Sequence, residues 1–197
     1  MKAAEINIKK HIKRTPAQII RLVVVLFVLG LANQIVFSYI LTEVLALMPE
    51  VGASYEQTIS AITKPTLDML ILVCIVAPVL EEAFFRGLVL GVLKRFAPFI
   101  VANVTQALAF GIYHGNLVQG VYAFLIGMYI GYIAYVTGTF LYTIVLHMSI
   151  NIMGMILPYM IPEDAAEYIK VLAAIIALII TVLIVRGIKN DRLADSQ

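Results

Sequence analysis

Three polar stations interrupt an otherwise apolar sequence, and their residue types suit hydrolysis. Glu81 and Glu82 are adjacent, with Arg86 four positions after Glu82. His114 follows, then His147 with Asn151 four positions on. Residues four apart share one face of a helix, so Glu82 can pair with Arg86 and His147 stands beside Asn151. Glu81 is turned about 100° away from Glu82, which frees it from that pair. A carboxylate with an imidazole can take a proton from a water that attacks a carbonyl. A second imidazole and an amide N–H can stabilise the oxyanion that forms. This chemistry requires no Ser or Cys nucleophile. Glu81, His114 and His147 could also hold a zinc with an open position. Asn151 weighs against that, because an amide is a poor zinc ligand and a good oxyanion donor, so no metal is taken as obligatory. Nothing in the sequence matches H-E-x-x-H, G-x-S-x-G or a P-loop.

The surroundings of these residues set the class of the molecule. The chain of 197 residues is 62% hydrophobic and only 13% charged, and its mean hydropathy is +0.99. A soluble domain is about 45–50% apolar and about 25% charged, so this is an integral membrane protein with no expected nucleic-acid partner. A charge facing lipid costs roughly 2.5–3.5 kcal/mol on insertion scales. Glu81, Glu82 and Arg86 should therefore face a protein interior or a watered cavity. The single cysteine, Cys74, excludes an intrachain disulfide and reads as a buried structural thiol.

The elements that must position these groups are helices, and the fold expected is an all-α bundle of about six transmembrane helices in one domain, residues 1–197. Residues 1–18 form a basic segment suited to an anionic membrane surface. Thr15-Pro16 is an N-cap and N1 pair opening the first span, Ile19 to about Leu47. Residues 48–64 form a loop or short surface helix. The second span, Thr66–Leu93, carries Glu81, Glu82 and Arg86, and Pro78 should kink it and free a carbonyl for another partner. Further spans cover Phe99–Tyr113, Leu117–Val136, Phe140–Leu157 up to Pro158, and about Ala165–Val185, before a tail at residues 186–197. Of the Lys and Arg residues, Arg86 is intramembrane and Lys64 and Lys170 fall on one side. The rest fall on the side of the termini, which places both ends in the cytoplasm. Gly87/Gly91, Gly111/Gly115 and Gly127/Gly131 read as close-packing pairs. At 1.5 Å per residue, Glu81, His147 and His114 lie about 20, 12 and 24 Å from the cytoplasmic ends of their spans. A kink at Pro78, deeper helix starts or a break near Gly111–Gly115 must close that gap.

Glu81-Glu82-x-x-x-Arg86, then Phe110-x-x-x-His114, then His147-x-x-x-Asn151 resembles the CAAX protease and bacteriocin-processing (Abi) family, which includes the type II CAAX prenyl proteases. The resemblance covers residues 78–154, with three motifs in the family's order. It implies an intramembrane endopeptidase in a multi-pass, bacterial-type plasma membrane. Its substrate would be a membrane-associated protein or peptide, prenylated or bacteriocin-like. By the resemblance, Glu81 is the general base, His114 its partner in activating water, and His147 with Asn151 the oxyanion stabilisers. Glu82 and Arg86 hold the site together. The family's members are called metalloproteases by tradition. An alternative is a non-enzymatic immunity or regulatory protein that binds a membrane peptide. A proton- or cation-coupled transporter is the third class, and six spans with no evident repeat weigh against it.

Overall fold

The computed structural model describes residues 15–60, 66–160 and 167–194. Most of the basic N-terminal segment, Lys64-Pro65 and Pro162–Ala165 lie outside the described residues. The described part is all-α, with seven helical rods and no strand. They are α1 (Pro16–Ala46), α2 (Pro49–Ser60), α3 (residues 67–93), α4 (Phe99–Tyr113), α5 (Leu117–Thr137), α6 (Leu141–Met160) and α7 (Glu167–Ala194).

Local sequence accounts for most of the ends. The Thr15 side chain accepts from Gln18 N–H, and Gln18 reaches back to Thr15 N–H, closing a capping box ahead of Pro16. Asn116 caps α5 by accepting from Val118 and Gln119 N–H. Gly138, at φ +79°, takes the left-handed cap that ends α5. Pro158 does not end α6, which continues to Met160. So near a helix end, a proline removes one ladder bond that matters little. The expected C-terminal tail is helical as far as Ala194.

α1, α5 and α7 are long and apolar enough to cross a membrane, while α4 and α6 are shorter apolar helices. α1 packs on α6 and α7, and α4 forms a close hairpin with α5. The core is built from Leu26 and Leu29 of α1, Ile126, Ile130 and Ile133 of α5, and Leu146 and Ile150 of α6. Close approach depends on particular glycines. A Cβ on Gly30 would run into the Ser149 side chain and the Leu146 carbonyl. One on Gly127 would meet Phe110 and Ala107, and one on Gly111 would stand 2.6 Å from the Gly120 carbonyl oxygen. Gly91 and Gly115 have nothing within 4 Å of such a Cβ, so those two are not packing positions. Gly115 serves instead in the α4–α5 turn, with φ +68°.

The rod that carries the paired glutamates is continuous but not uniform. Within α3, Leu72–Val76 and Glu82–Val89 are π-helical, with α-helical turns around them. In these stretches N–H groups bond five residues back, as Ala77 does to the Leu72 carbonyl and Leu90 to that of Phe85. A wide turn holds more residues per revolution and rises less per residue. This shortens the depth between Glu81 and the end of its span, in place of the sharp kink expected at Pro78.

Candidate active site

Glu82 is the centre of the polar constellation. It is fully buried, and its Oε1 accepts from Arg86 Nη1 at 2.7 Å and from His147 Nδ1 at 2.8 Å. Its Oε2 accepts from Thr143 Oγ1 at 2.8 Å. The Thr143 hydroxyl also stands 2.6 Å from the Phe140 carbonyl, so one proton is shared between two acceptors. Arg86 is tied on its other side to the Gly127 carbonyl at 3.3 Å, which also accepts from Gln106 Nε2 at 3.0 Å. The guanidinium lies over the Phe110 ring, 4.5 Å from its centroid. The i,i+4 pair expected from spacing therefore exists. It is part of a network that joins α3, α5 and α6, with Gln106 of α4 sharing a carbonyl in it.

That network fixes a tautomer. A carboxylate shared with a guanidinium can only accept, so His147 Nδ1 carries its proton towards Glu82. His147 Nε2 then faces Glu81, 3.7 Å from Oε2 and beyond hydrogen-bond length. Glu81 is half-buried. The chargeable groups acting on it are His147, His114, Glu82 and Arg86.

His114 caps the C-terminus of α4. Its Nδ1 is 2.8 Å from the Phe110 carbonyl, which can only accept, so the proton is on Nδ1 and the Nε2 lone pair is left over. The Phe110 ring meets both imidazoles edge-on, with centroids 4.7 Å from His114 and 5.9 Å from His147. Asn151 lies one turn beyond His147 on α6 and donates from Nδ2 to the Val73 carbonyl at 2.9 Å.

The structure thus brings Glu81, Glu82, Arg86 and His147 into one cluster, with His147 nearest to Glu81. His114 joins the cluster through Phe110. Asn151 is engaged with the α3 backbone and not with a carboxylate.

The family model for the type II CAAX prenyl endopeptidases, Rce1-like, matches residues 63–153. This stretch is an Rce1-like domain. No curated protein and no solved structure matches the chain. The Rce1-like domain runs from just before α3 through α6 as far as Met153, so it contains every residue of the cluster. The match supports a CAAX-protease-type function in general and, with the apolar helices, a membrane protein.

Zinc was the open question for the Rce1-like site. Among the described residues no three His, Cys, Asp or Glu side chains stand where they could share a metal ion. His147 Nδ1 is taken by Glu82. Glu81, His114 and His147 as arranged do not fit a three-ligand site. Three further residues of the Rce1-like domain matter to the cluster without being singled out in the sequence: Thr143, Gln106 and the Phe110 ring. Thr143 was within reach of pattern reading, since Thr143, His147 and Asn151 form one polar stripe at four-residue spacing. Gln106 carried no such signal.

Proposed function

We propose that this chain is an intramembrane endopeptidase that hydrolyses a membrane-associated protein or peptide by glutamate-activated water. The observation that carries the reading is the Glu81 carboxylate facing His147 Nε2 at 3.7 Å, while the other His147 nitrogen is held by Glu82. The two imidazoles then have different parts. His114, with its proton committed to the Phe110 carbonyl, offers a lone pair and helps Glu81 take a proton from water. The water oxygen attacks the scissile carbonyl carbon, and the carbonyl π electrons move to the oxygen. His147 in its doubly protonated form donates from Nε2 to that oxyanion, its positive charge balanced by Glu82. Asn151 uses its second N–H for the same oxyanion. When the intermediate collapses, the C–N bond breaks and the proton held by Glu81 goes to the leaving amine. Glu82 and Arg86 keep the parts in register.

The type II CAAX prenyl endopeptidase match makes a prenylated C-terminal peptide the first substrate to try. The proposed setting is a cell membrane crossed six times with both termini cytoplasmic, following the charge distribution. No metal is assigned an obligatory part. The test is reconstitution in liposomes with a fluorescence-quenched farnesylated CAAX peptide, before and after exhaustive chelation. Cleavage that survives chelation, with far less than one zinc per chain, is the expected result. Stoichiometric zinc, with activity lost on chelation and restored by the metal, would overturn the metal-free mechanism. Binding of the peptide without cleavage by well-folded protein would favour the immunity or regulatory reading.

A further inference from the structure

Pro78 lies three residues before Glu81 and contacts none of the cluster by any hydrogen bond, yet it decides where one of them is held. In the π turn ahead of it, Ala77 N–H bonds five residues back to the Leu72 carbonyl. The next step of that ladder would run from residue 78 to the Val73 carbonyl. Proline has no N–H, so the ladder cannot supply a donor there. The Val73 carbonyl receives one from elsewhere: Asn151 Nδ2, 2.9 Å away on α6. Four residues earlier on the same face of α6, His147 Nδ1 is bonded to Glu82. Two hydrogen bonds therefore clasp α6 to α3, one at residue 73 and one at residue 82. Glu81 lies between them in the chain.

From this we infer that Pro78 is a positioning residue. It withholds the backbone donor that would satisfy Val73, and the carbonyl so exposed clasps Asn151 and fixes its side-chain orientation. An amide nitrogen carries two hydrogens. With one spent on Val73, the other is held in a fixed direction instead of sweeping through rotamers. The clasp also sets the register of α6 against α3, on which the separation of His147 from Glu81 depends. A proline here serves an acceptor-vacancy role and is not present merely to bend the helix. The catalytic consequence rests on the proposed peptidase reading, while the hydrogen-bond coupling does not.

The test is a double-mutant cycle on the full chain in one detergent, with wild type, Pro78→Ala, Asn151→Ala and the double variant. In the Pro78 background, Asn151→Ala leaves the Val73 carbonyl bare and should lower Tm by about 4 °C. In the Pro78→Ala background, the restored N–H can satisfy Val73, and the same substitution should shift Tm by less than about 1 °C. An equal Tm drop in both backgrounds overturns the clasp. On the farnesylated CAAX peptide, Pro78→Ala and Asn151→Ala should each lower kcat at least about tenfold with KM unchanged, and the double variant no further. A wild-type kcat for Pro78→Ala overturns the positioning role. A wild-type protein that cleaves nothing removes the peptidase reading, and the Tm cycle still decides the clasp. If Pro78→Ala yields no folded protein, Asn151→Leu decides it. Leucine keeps the volume and lacks the donor, so a Tm drop like that of Asn151→Ala supports the clasp and a wild-type Tm overturns it.

Discussion

Two polar clusters lie inside this apolar molecule, and they are built differently. One joins α1 to α5 and contains no charge. Asn33 Nδ2 donates to the Leu29 carbonyl at 2.7 Å and to the Tyr129 hydroxyl at 2.9 Å. The Tyr122 hydroxyl donates to Gln34 Oε1, and Gln34 Nε2 reaches Ser38 Oγ at 3.0 Å. These groups satisfy one another, and the cluster acts as a fastener. The other joins α3 to α6 and is charged. There Glu82 is fully engaged by Arg86, His147 and Thr143, while Glu81 faces an imidazole at 3.7 Å without bonding to it. Desolvating polar groups is costly wherever it occurs. What separates a fastener from a site is whether any acid–base group is held in place with capacity to spare. Only the cluster inside the Rce1-like domain leaves such a group.

That contrast can be broken by substitution, in steps of falling size. Arg86→Ala leaves a buried carboxylate without its cation and should cost about 3–5 kcal/mol of stability, together with activity. Thermal melting in detergent checks this, and an unchanged Tm would dissolve the pairing. Gly30→Val drives a side chain into Ser149 and the Leu146 carbonyl, with an expected cost of about 1–3 kcal/mol. Peptide turnover at a temperature well below its Tm should stay near wild type, because α1 supplies no residue to the charged cluster. Thr143→Val takes a donor from Glu82 Oε2, for about 1–3 kcal/mol, and kcat should fall where Gly30→Val leaves it alone. Asn33→Ala opens the neutral fastener. Intramembrane side-chain hydrogen bonds average about 0.6 kcal/mol, so the Tm shift should be small and kcat unchanged. A large kcat loss there would mean that the two clusters are coupled.

Much of this arrangement was legible in the chain itself. Thr15-Pro16, Asn116 and Gly138 mark helix ends through local chemistry that tertiary packing does not override. Glu82 and Arg86 announce their pair by spacing, and Asn33 and Gln34 announce an interhelical fastener by being amides in an apolar run. The π turns were hidden, because they come from a missing donor at Pro78 met by a partner 73 positions later, at Asn151. A helix-period reading assigns every residue the same rise and so leaves Glu81, His147 and His114 at mismatched depths. The partner of Glu81 was hidden for a related reason. His147 stands nearest to it because Glu82 anchors the ring from the other side, a contact between distant segments that no local pattern encodes. Glycine spacing also misled at Gly91 and Gly115, where one open surface and one left-handed turn look the same in sequence as packing pairs.

Glu81→Gln separates a spare acid–base group from a merely buried one. The amide keeps the shape and cannot take a proton at a useful pKa, so cleavage of the farnesylated peptide should fall by about 10²–10⁴-fold, while Tm stays within about 1 °C of wild type because Glu81 supports no hydrogen-bonded pair. Substantial turnover by Glu81→Gln, or a Tm drop as large as that of Arg86→Ala, would make Glu81 another structural carboxylate and remove it from the mechanism.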